Sequence, residues 1–368
     1  MARSLVGFLI VLCLATSGSS AAAGSWTLGA RDTGIGLGNS PEFTGIRLNL
    51  IDEDVRSVDG VNLTLWVPRE SPRAVHRGIS LGLVGPAAAR FYGVTAGLLG
   101  AGADEGFRGV TLAGLGLGAD EDLRGIQCAG LGVGAGGDVW GLTLAGLGLG
   151  ADGDVRGLTM AGLGLGVSGD LAGVSVAGLG GGVEGGVSGI TVAGLGLGVG
   201  DGATGLTLSG LGMAIGGDQL GIAFGPVGLA VGGRSRGVLL AGIGFDVGDD
   251  ATGVHVAGLG MGVDGRATGI QVAGLGLRAD EIRGITVAGL GIGVDDLRGV
   301  QATLGRVEAE DLRGITAAGY VRSLETRGLS IALFNRTEEL HGVQLGLLNF
   351  AGNQSAPWRW LPLLNARL

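Results

Sequence analysis

The sequence predicts an all-β protein, folded as a single-stranded parallel β-solenoid (β-helix) of about twenty coils with a cap at each end. Three observations support this prediction. A glycine followed by an aliphatic residue recurs every 14–16 residues, aliphatic residues alternate with small or polar ones, and glycine and aspartate gather at one place in each repeat. Short repeats that cannot bury an apolar face alone are typical of solenoids, which are stable only as a stack.

The composition favours a thin interior. Of 368 residues 84 are glycine, yet 46% of the chain is hydrophobic and only 4% is aromatic. This apolar content argues against glycine-rich disorder. The net charge is −9 and every basic residue is arginine. The chain therefore lacks the positive surface that nucleic acids require and that would attract it to anionic lipids.

The chain begins with a segment typical of a secretory signal peptide, residues 1–23. Arg3 supplies the basic start, an apolar run follows over residues 5–15, and small residues lead to a cleavage site after Ala23. A short buried helix is the alternative interpretation. We expect export, to the cell surface, the outer membrane or the periplasm.

Domain organisation follows from the repeat. We expect an N-terminal cap at residues 24–44, a glycine-rich repeat solenoid at residues 45–350 and a C-terminal cap at residues 351–368.

After cleavage Cys128 is the only remaining cysteine, so no intramolecular disulfide forms. It stands where sibling repeats carry leucine or valine, which predicts a buried thiol.

The coil Gly141–Arg156, GLTLAGLGLGADGDVR, defines sixteen columns, with Gly141 in column 1. Columns 2, 4, 7, 9 and 11 are mostly aliphatic, and column 3 is mostly threonine, serine or glutamine. We expect columns 2 and 4 to point inward, a bend at Ala145–Gly146, and columns 7, 9 and 11 to point inward after it, because a change of phase requires a corner. Column 3 would then line an outer face. Repeats start at Gly45, Gly60, Gly78, Gly93, Gly109, Gly125, Gly141, Gly157, Gly173, Gly189, Gly205, Gly221, Gly237, Gly253, Gly269, Gly284, Gly299, Gly314, Gly328 and Gly342.

An outer-membrane β-barrel, acting as a pore or an anchor, is the alternative architecture. Each repeat would then be one membrane strand plus a turn. Strands of such a barrel alternate in direction, with short turns at one end, long loops at the other and aromatic girdles at both interfaces. Odd and even repeats do not differ in this sequence, and the repeats lack aromatic girdles.

Aspartates recur at the predicted turn in columns 12–14. Carboxylates stacked about 4.8 Å apart provide oxygen ligands of the kind that calcium prefers, which makes Asp122, Asp138, Asp154 and Asp170 weak calcium candidates. Turn formation and pairing with arginines at the end of each repeat explain the same residues without a metal. No other metal site and no cofactor is expected.

Residue patterns give no support to catalysis. His76, His255 and His341 are isolated, and His255 replaces threonine in column 3, which predicts a solvent-facing side chain. Glycine-rich matches to dinucleotide motifs are explained by composition, since no strand-turn-helix context follows. We expect no enzyme. A polysaccharide-active β-helix enzyme is a further alternative, but the acids repeat with the turns and no pair stands out.

Both ends of the repeat array carry a resemblance. Residues 43–66 read FTGIRLNLIDEDVRSVDGVNLTLW, residues 342–349 read GVQLGLLN, and residues 361–368 read LPLLNARL. These segments resemble uncharacterised bacterial surface-repeat proteins with GVQxGLxN repeats and a C-terminal PxxNAR tail. The central AGLGLG units depart from that pattern, because they have glycine where it has asparagine. The resemblance implies an exported bacterial protein and offers no catalytic residue.

Together these features predict an exported repeat protein of the cell envelope or surface, acting as a structural or binding rod. Twenty coils at about 4.8 Å each would make a rod about 95 Å long. Its partner would be an unknown envelope or surface ligand, outer-membrane association is possible, and nucleic acid is not expected. The sequence leaves the oligomeric state open.

Overall fold

The computed structural model describes residues 25–30, 32–69 and 71–367. The predicted signal peptide, residues 1–23, lies outside the described residues. The chain divides into two compact units, unit 1 up to Thr191 and unit 2 from Val192 onward. Each unit is a parallel β-solenoid without helices in its described residues, and the turns number about 17, close to the predicted about twenty.

Unit 1 begins with an antiparallel hairpin and continues as parallel coils; the unit boundary falls inside its last strand. Its strands are β1 (Trp26–Ala30), β2 (Thr33–Leu37), β3 (Glu42–Asn49), β4 (Ser57–Thr64), β5 (Val75–Gly82), β6 (Ala87–Gly97), β7 (Gly100–Ala113), β8 (Gly116–Ala119), β9 (Asp122–Ala129), β10 (Gly132–Ala135), β11 (Val139–Ala145), β12 (Gly148–Ala151), β13 (Val155–Ala161), β14 (Gly164–Val167), β15 (Leu171–Ala177), β16 (Gly180–Val183) and β17 (Val187–Ala193).

Unit 2 begins with coils of two strands and ends in one long strand that turns several corners, closed by an antiparallel partner. Its strands are β18 (Gly196–Val199), β19 (Ala203–Ser209), β20 (Gly212–Ile215), β21 (Gln219–Gly225), β22 (Gly228–Val231), β23 (Ser235–Ala241), β24 (Gly244–Val247), β25 (Ala251–Ala257), β26 (Gly260–Ala273), β27 (Gly276–Ala288), β28 (Gly291–Thr303), β29 (Arg306–Ala351) and β30 (Trp360–Arg367).

Each coil turns three corners around one interior. In the coil that starts at Gly141, β11 carries one corner at Gly141 itself, a bend at Gly146–Leu147 leads to β12, and a turn at residues 152–154 leads to β13. Gly141 has a φ of +121°, a conformation that side chains disfavour. It pairs in parallel register with Gly125 in the coil before and Gly157 in the coil after.

The interior follows a different set of columns from the predicted one. In the same coil Thr143, Ala145, Leu149, Ala151 and Val155 are all buried. The inward columns are therefore 3, 5, 9, 11 and 15, and the predictions for columns 9 and 11 are confirmed.

The predicted inward orientation of columns 2, 4 and 7 is wrong. Leu158 in column 2 is 37% exposed, Met160 in column 4 is 44% exposed and Leu147 in column 7 is 45% exposed. The bend at Gly146–Leu147 contains two residues, so odd columns stay inward on both sides of it and the phase does not change. Column 3, predicted on an outer face, lies in the interior, where it holds large residues such as Gln127 and Leu239 as well as threonine.

Cys128 occupies column 4 and shares the outward orientation of that column. Its side chain is half-buried and unpaired, so the predicted fully buried thiol is wrong.

The aliphatic residues of column 9 form a stack in the interior. Val133 and Leu149 are each 3% exposed and lie on each other through the pairing of β10 with β12. Burial of each such side chain contributes about 1.5–3 kcal/mol, repeated from coil to coil.

Candidate functional site

The four calcium candidates form an ordered ladder at one corner of unit 1. Oδ1 of Asp122 accepts a hydrogen bond from the backbone N–H of Asp138 at 3.1 Å, and Oδ1 of Asp138 accepts one from Asp154 at 2.9 Å. Asp154 and Asp170 continue the pattern, with N···Oδ1 distances of 2.8 Å to Asp170 N and Gly186 N. Each carboxylate thus fastens the turn of the next coil.

The second carboxylate oxygen of two of these aspartates contacts arginine. Arg124 donates to Oδ2 of Asp122 at 2.7 Å, and Arg156 donates to Oδ2 of Asp154 at 2.8 Å. Both arginines also lie 5.2–5.3 Å from the ring centre of Trp140. Within the part of the chain that the structure describes, no three histidine, cysteine, aspartate or glutamate side chains gather as a metal site.

Several residues of the polar column 3 form hydrogen-bonded pairs between successive coils in the interior. Thr143 donates to Oε1 of Gln127 at 3.2 Å, and Thr286 donates to Oε1 of Gln271 at the same distance. These hydroxyls and amides are buried. These pairs provide partners for the hydroxyl groups and amide oxygens, which would otherwise be costly to bury.

His255 belongs to this interior column, so the predicted solvent-facing side chain is wrong. It is fully buried, and neither ring nitrogen has a hydrogen-bond partner. Its ring centre lies 6.0 Å from that of Phe245. Burial lowers the pKa of His255 to about 4, so the imidazole is neutral at neutral pH.

A buried charged cluster lies inside the first coils of unit 1, where the sequence patterns did not predict one. The guanidinium of Arg47 forms an ion pair with Asp52, and the two residues are 0% and 1% exposed. Arg47 Nε also donates to Oδ1 of Asn62 at 2.9 Å. Oδ2 of Asp52 accepts from Asn62 at 3.0 Å and from Thr64 at 2.5 Å.

The two charges depend on each other. Burial by itself raises the pKa of Asp52, but the charge of Arg47 and hydrogen bonds from Thr64, Asn49 and Asn62 outweigh it, and the net shift is downward. Burial lowers the pKa of Arg47, against the opposing effect of Asp52. Arg47 lies in the segment GIRLNL, residues 45–50. The sequence carried no sign that this arginine would point inward.

His76 borders this cluster. Its Nδ1 lies 3.2 Å from Oγ of Ser80 and 3.4 Å from Nδ2 of Asn62, and its ring centre is 5.1 Å from that of Phe91. Burial, assisted by Arg47, lowers the pKa of His76 to about 4, although Asp52 opposes this. His76 and Ser80 are 2% and 4% exposed. This histidine–serine pair therefore lies in the interior, away from any substrate in solvent.

The exterior of unit 1 carries an aliphatic face, formed by the outward side chains of columns 2 and 4. Leu112 is 44% exposed, Ile126 40%, Leu158 37% and Met160 44%. Soluble proteins rarely expose contiguous apolar patches larger than a few hundred Å², and larger patches mark interaction surfaces.

Two further features adjoin the aliphatic face in unit 1. The first, the leucine ridge, is formed by the column 7 residues at the bend. The second, the glycine strip, is formed by columns 8 and 10, whose outward positions carry no side chains. The ridge residues are Leu99, Leu115, Leu131, Leu147, Leu163 and Leu179; the strip residues are Gly100, Gly102, Gly116, Gly118, Gly132, Gly134, Gly148, Gly150, Gly164, Gly166, Gly180 and Gly182.

The glycines of the strip are not required by the coil. A Cβ added to Gly118, Gly134, Gly150 or Gly182 would meet no atom within 4 Å. None of these glycines has a positive φ. Column 1 is the opposite case, because a Cβ on Gly141 would lie 2.1 Å from the carbonyl oxygen of Gly125.

Unit 2 carries an equivalent ridge, but its strip is interrupted by side chains. Ala214, Ala230, Asp246 and Arg278 occupy column 10 positions. A shallow groove follows this strip, between Gly196 and Gly262. The acidic ladder also recurs in unit 2, where Oδ1 of Asp218 accepts from the backbone N–H of Arg234 at 2.9 Å.

The GVQLGLLN segment near the end of unit 2 places its asparagine in the interior. Asn349 is fully buried, accepts from Nδ2 of Asn335 at 2.8 Å and donates to the carbonyl oxygen of Leu361 at 3.2 Å. Leu361 belongs to β30, which pairs antiparallel with β29. Asn349 therefore fastens the terminal strand to the last coil.

No helix among the described residues has the length and apolar character needed to cross a membrane. Comparison with known proteins gives no assignment: no family model, no curated protein and no solved structure matches the chain.

Proposed function

We propose that the chain is an exported structural or binding protein of the bacterial cell envelope, which acts by presenting repeated side chains to a partner. One observation carries this proposal. The aliphatic face of unit 1 exposes the same type of side chain in coil after coil, although the interior is already filled by other columns. A repeated apolar exterior of this kind is suited to binding an extended partner.

The buried charges and the acidic ladder support a scaffold rather than a reaction centre. Asp138 and Asp154 use one carboxylate oxygen each to hold the next coil. Arg47 and Asp52 are enclosed and satisfy each other. These groups stabilise the coils. The aliphatic face of unit 1 is therefore the surface available for recognition.

Export is the part of the proposal that rests on the sequence, through residues 1–23 and the resemblance of both ends of the array. The test is fractionation of a Gram-negative host that produces the tagged chain, with and without residues 1–23. We expect the full chain in the envelope or medium and the shortened chain in the cytoplasm. A full chain retained in the cytoplasm contradicts the proposal.

The binding part is tested separately, by co-sedimentation of the purified protein with purified peptidoglycan and with outer-membrane fragments. The matched variant carries Leu112→Asp and Leu158→Asp on the aliphatic face. We expect the wild type to sediment with one of these envelope fractions and the variant to remain in solution. Equal sedimentation of both proteins would exclude the aliphatic face as the binding surface.

A further inference from the structure

We propose that the polar network around His76 is an acid-sensitive switch, which opens the first coils of unit 1 over β3–β5 while the later coils of that unit stay folded. The inference goes beyond the proposed function, since the opening of these coils is measured without any envelope component and does not depend on export.

The network joins three successive coils. Arg47 lies on β3, Asn62 on β4 and His76 on β5, and Asp52 lies in the connection between β3 and β4. Nδ2 of Asn62 donates to Oδ2 of Asp52 at 3.0 Å and lies 3.4 Å from Nδ1 of His76. Oδ1 of Asn62 accepts from Nε of Arg47 at 2.9 Å. His76 is therefore connected through one amide to both members of the buried ion pair.

The charge balance of this interior leaves no counter-charge for a protonated histidine. Among the described residues, Arg47 and Asp52 are the only buried charged side chains, and they form an ion pair with each other. Protonation of His76 would place a second positive charge beside a single carboxylate in the same enclosed space. A buried charge without a counter-charge is costly.

The other charged groups on these coils lie at the surface and cannot compensate. Asp54 and Arg73 are exposed. Arg77 on β5 lies on the outer side of the coil, 6.0 Å from the ring centre of Tyr92 on β6. The surface ion pairs around the network are Arg56 with Glu42, Arg69 with Glu53, Arg77 with Asp59 and Arg90 with Glu105.

Hydrogen-bond geometry also favours the neutral ring of His76. The amide nitrogen of Asn62 can only donate, so Nδ1 of His76 acts as the acceptor in that contact. Nε2 is buried without a partner. Both ring nitrogens of an imidazolium carry protons. The contact with Asn62 would then join two donors, and the proton on Nε2 would still lack an acceptor.

The direction of the pH effect follows from the same arrangement. Burial lowers the pKa of His76 from 6.5 to about 4, against the attraction of Asp52 and with the assistance of Arg47. The open coils therefore bind the proton first, and stability present above pH 6.5 is lost as the pH falls to 4. The equilibrium constant for opening should be about thirtyfold greater at pH 5 than at pH 7.5. The lowered pKa of Asp52 keeps its carboxylate ionised over this range.

The opening is local because a solenoid coil contacts only its neighbours, so coils near one end can open while the rest stay stacked. The first coils also have a polar interior. Columns 3 and 5 hold Arg47 and Asn49 in β3, and Asn62 and Thr64 in β4, all buried. Later coils of unit 1 stack aliphatic side chains such as Leu149, whose packing does not depend on a proton.

The test is hydrogen exchange of the full chain, followed by mass spectrometry at pH 7.5 and pH 5 and corrected for the intrinsic exchange rate at each pH. We expect protection in β4 and β5 to fall about thirtyfold at pH 5, and protection in β11 and β13 to stay the same. His76→Phe matches Phe91 and Phe107, its partners in the same column. It should give β4 and β5 equal protection at both pH values.

A second variant and a control keep the test decisive if His76→Phe does not fold. His76→Gln retains an acceptor for Asn62 without a titratable ring and should also abolish the pH response. His341→Gln removes a half-exposed histidine beside Glu325 and should keep the wild-type response. Equal wild-type protection of β4 and β5 at both pH values would overturn the proposal. A thirtyfold loss that persists in His76→Gln, or that extends equally to β11 and β13, would also overturn it.

Discussion

The carbonyl oxygen of Gly125 lies 2.1 Å from the point that a Cβ on Gly141 would occupy, and Gly141 has a φ of +121°. The two glycines stand in the same column of successive coils, and the relationship repeats along the column. Backbone conformation and close stacking both exclude a side chain at this corner.

Gly141→Ala is therefore expected to be strongly destabilising. Strain from the positive φ costs about 1–3 kcal/mol, and displacement of the neighbouring coil adds to it. Gly150→Ala is the matched control, because its Cβ enters open space and alanine is favoured over glycine in a strand by about 0.5 kcal/mol. Urea unfolding of both variants measures the difference, and equal stabilities would contradict this account of column 1.

The acidic ladder predicts a smaller effect. Asp138→Ala removes the acceptor of the backbone N–H of Asp154 and should reduce the free energy of unfolding by about 1 kcal/mol. Asp138→Asn retains an acceptor oxygen and should lose less. The measurement is urea unfolding of the three proteins, and equal losses in the two variants would mean that the hydrogen bond does not contribute.

The same ladder bears on calcium. Because Oδ1 of each candidate aspartate already accepts a backbone hydrogen bond, we expect added calcium or a chelator to leave the melting temperature unchanged. Differential scanning calorimetry measures this. A calcium-dependent rise that disappears in Asp122→Asn would establish a metal site at this corner.

Acid sensitivity is predicted from His255. Its pKa is about 4 in the folded protein and about 6.5 when unfolded, so the unfolded state binds the proton first. Stability is therefore fully present above pH 6.5 and is lost as the pH falls from 6.5 to 4. Between pH 7 and pH 5 this residue should cost about 2 kcal/mol.

The variant His255→Thr restores the residue common in this column and should remove that part of the pH dependence. Gln271→Thr changes the neighbouring coil in the same column without removing a titratable group, and should keep the wild-type pH dependence. Urea unfolding at pH 7 and pH 5 gives the comparison. A pH dependence unaltered by His255→Thr would mean that the buried imidazole is not a source of acid sensitivity.

The buried ion pair predicts a large loss. Asp52→Asn leaves the Arg47 guanidinium enclosed without its counter-charge and should be destabilising by about 3–5 kcal/mol. Glu53→Gln breaks an exposed pair with Arg69, and the free energy of unfolding should change little. Thermal unfolding of both variants is the measurement, and a small effect of Asp52→Asn would show that water reaches Arg47.

The sequence by itself determined the parallel coil, its period and the turn at columns 12–14. Glycine at a constant interval, as at Gly125 and Gly141, gave the period, and the structure shows that a corner lies there, where a side chain does not fit. The turns at columns 12–14 were predicted because aspartate and glycine favour tight turns. These are properties of a residue and its own backbone, which a pattern can reveal.

Only the tertiary structure decided which side chains face inward. An alternating strand can bury either its odd or its even columns, and a one-residue change of register exchanges the two faces. The interior accommodates Thr143 and Ala145 and leaves Leu142 and Leu144 outside. The predicted exposure of His255 and the predicted burial of Cys128 were both wrong because each depended on which columns face inward.

The Arg47–Asp52 cluster also required the structure, because its partners come from different coils and meet only after stacking. The sequence contains these residues, but the neighbouring coils determine how deeply they are buried. Burial in turn shifts the pKa of Arg47 and of Asp52.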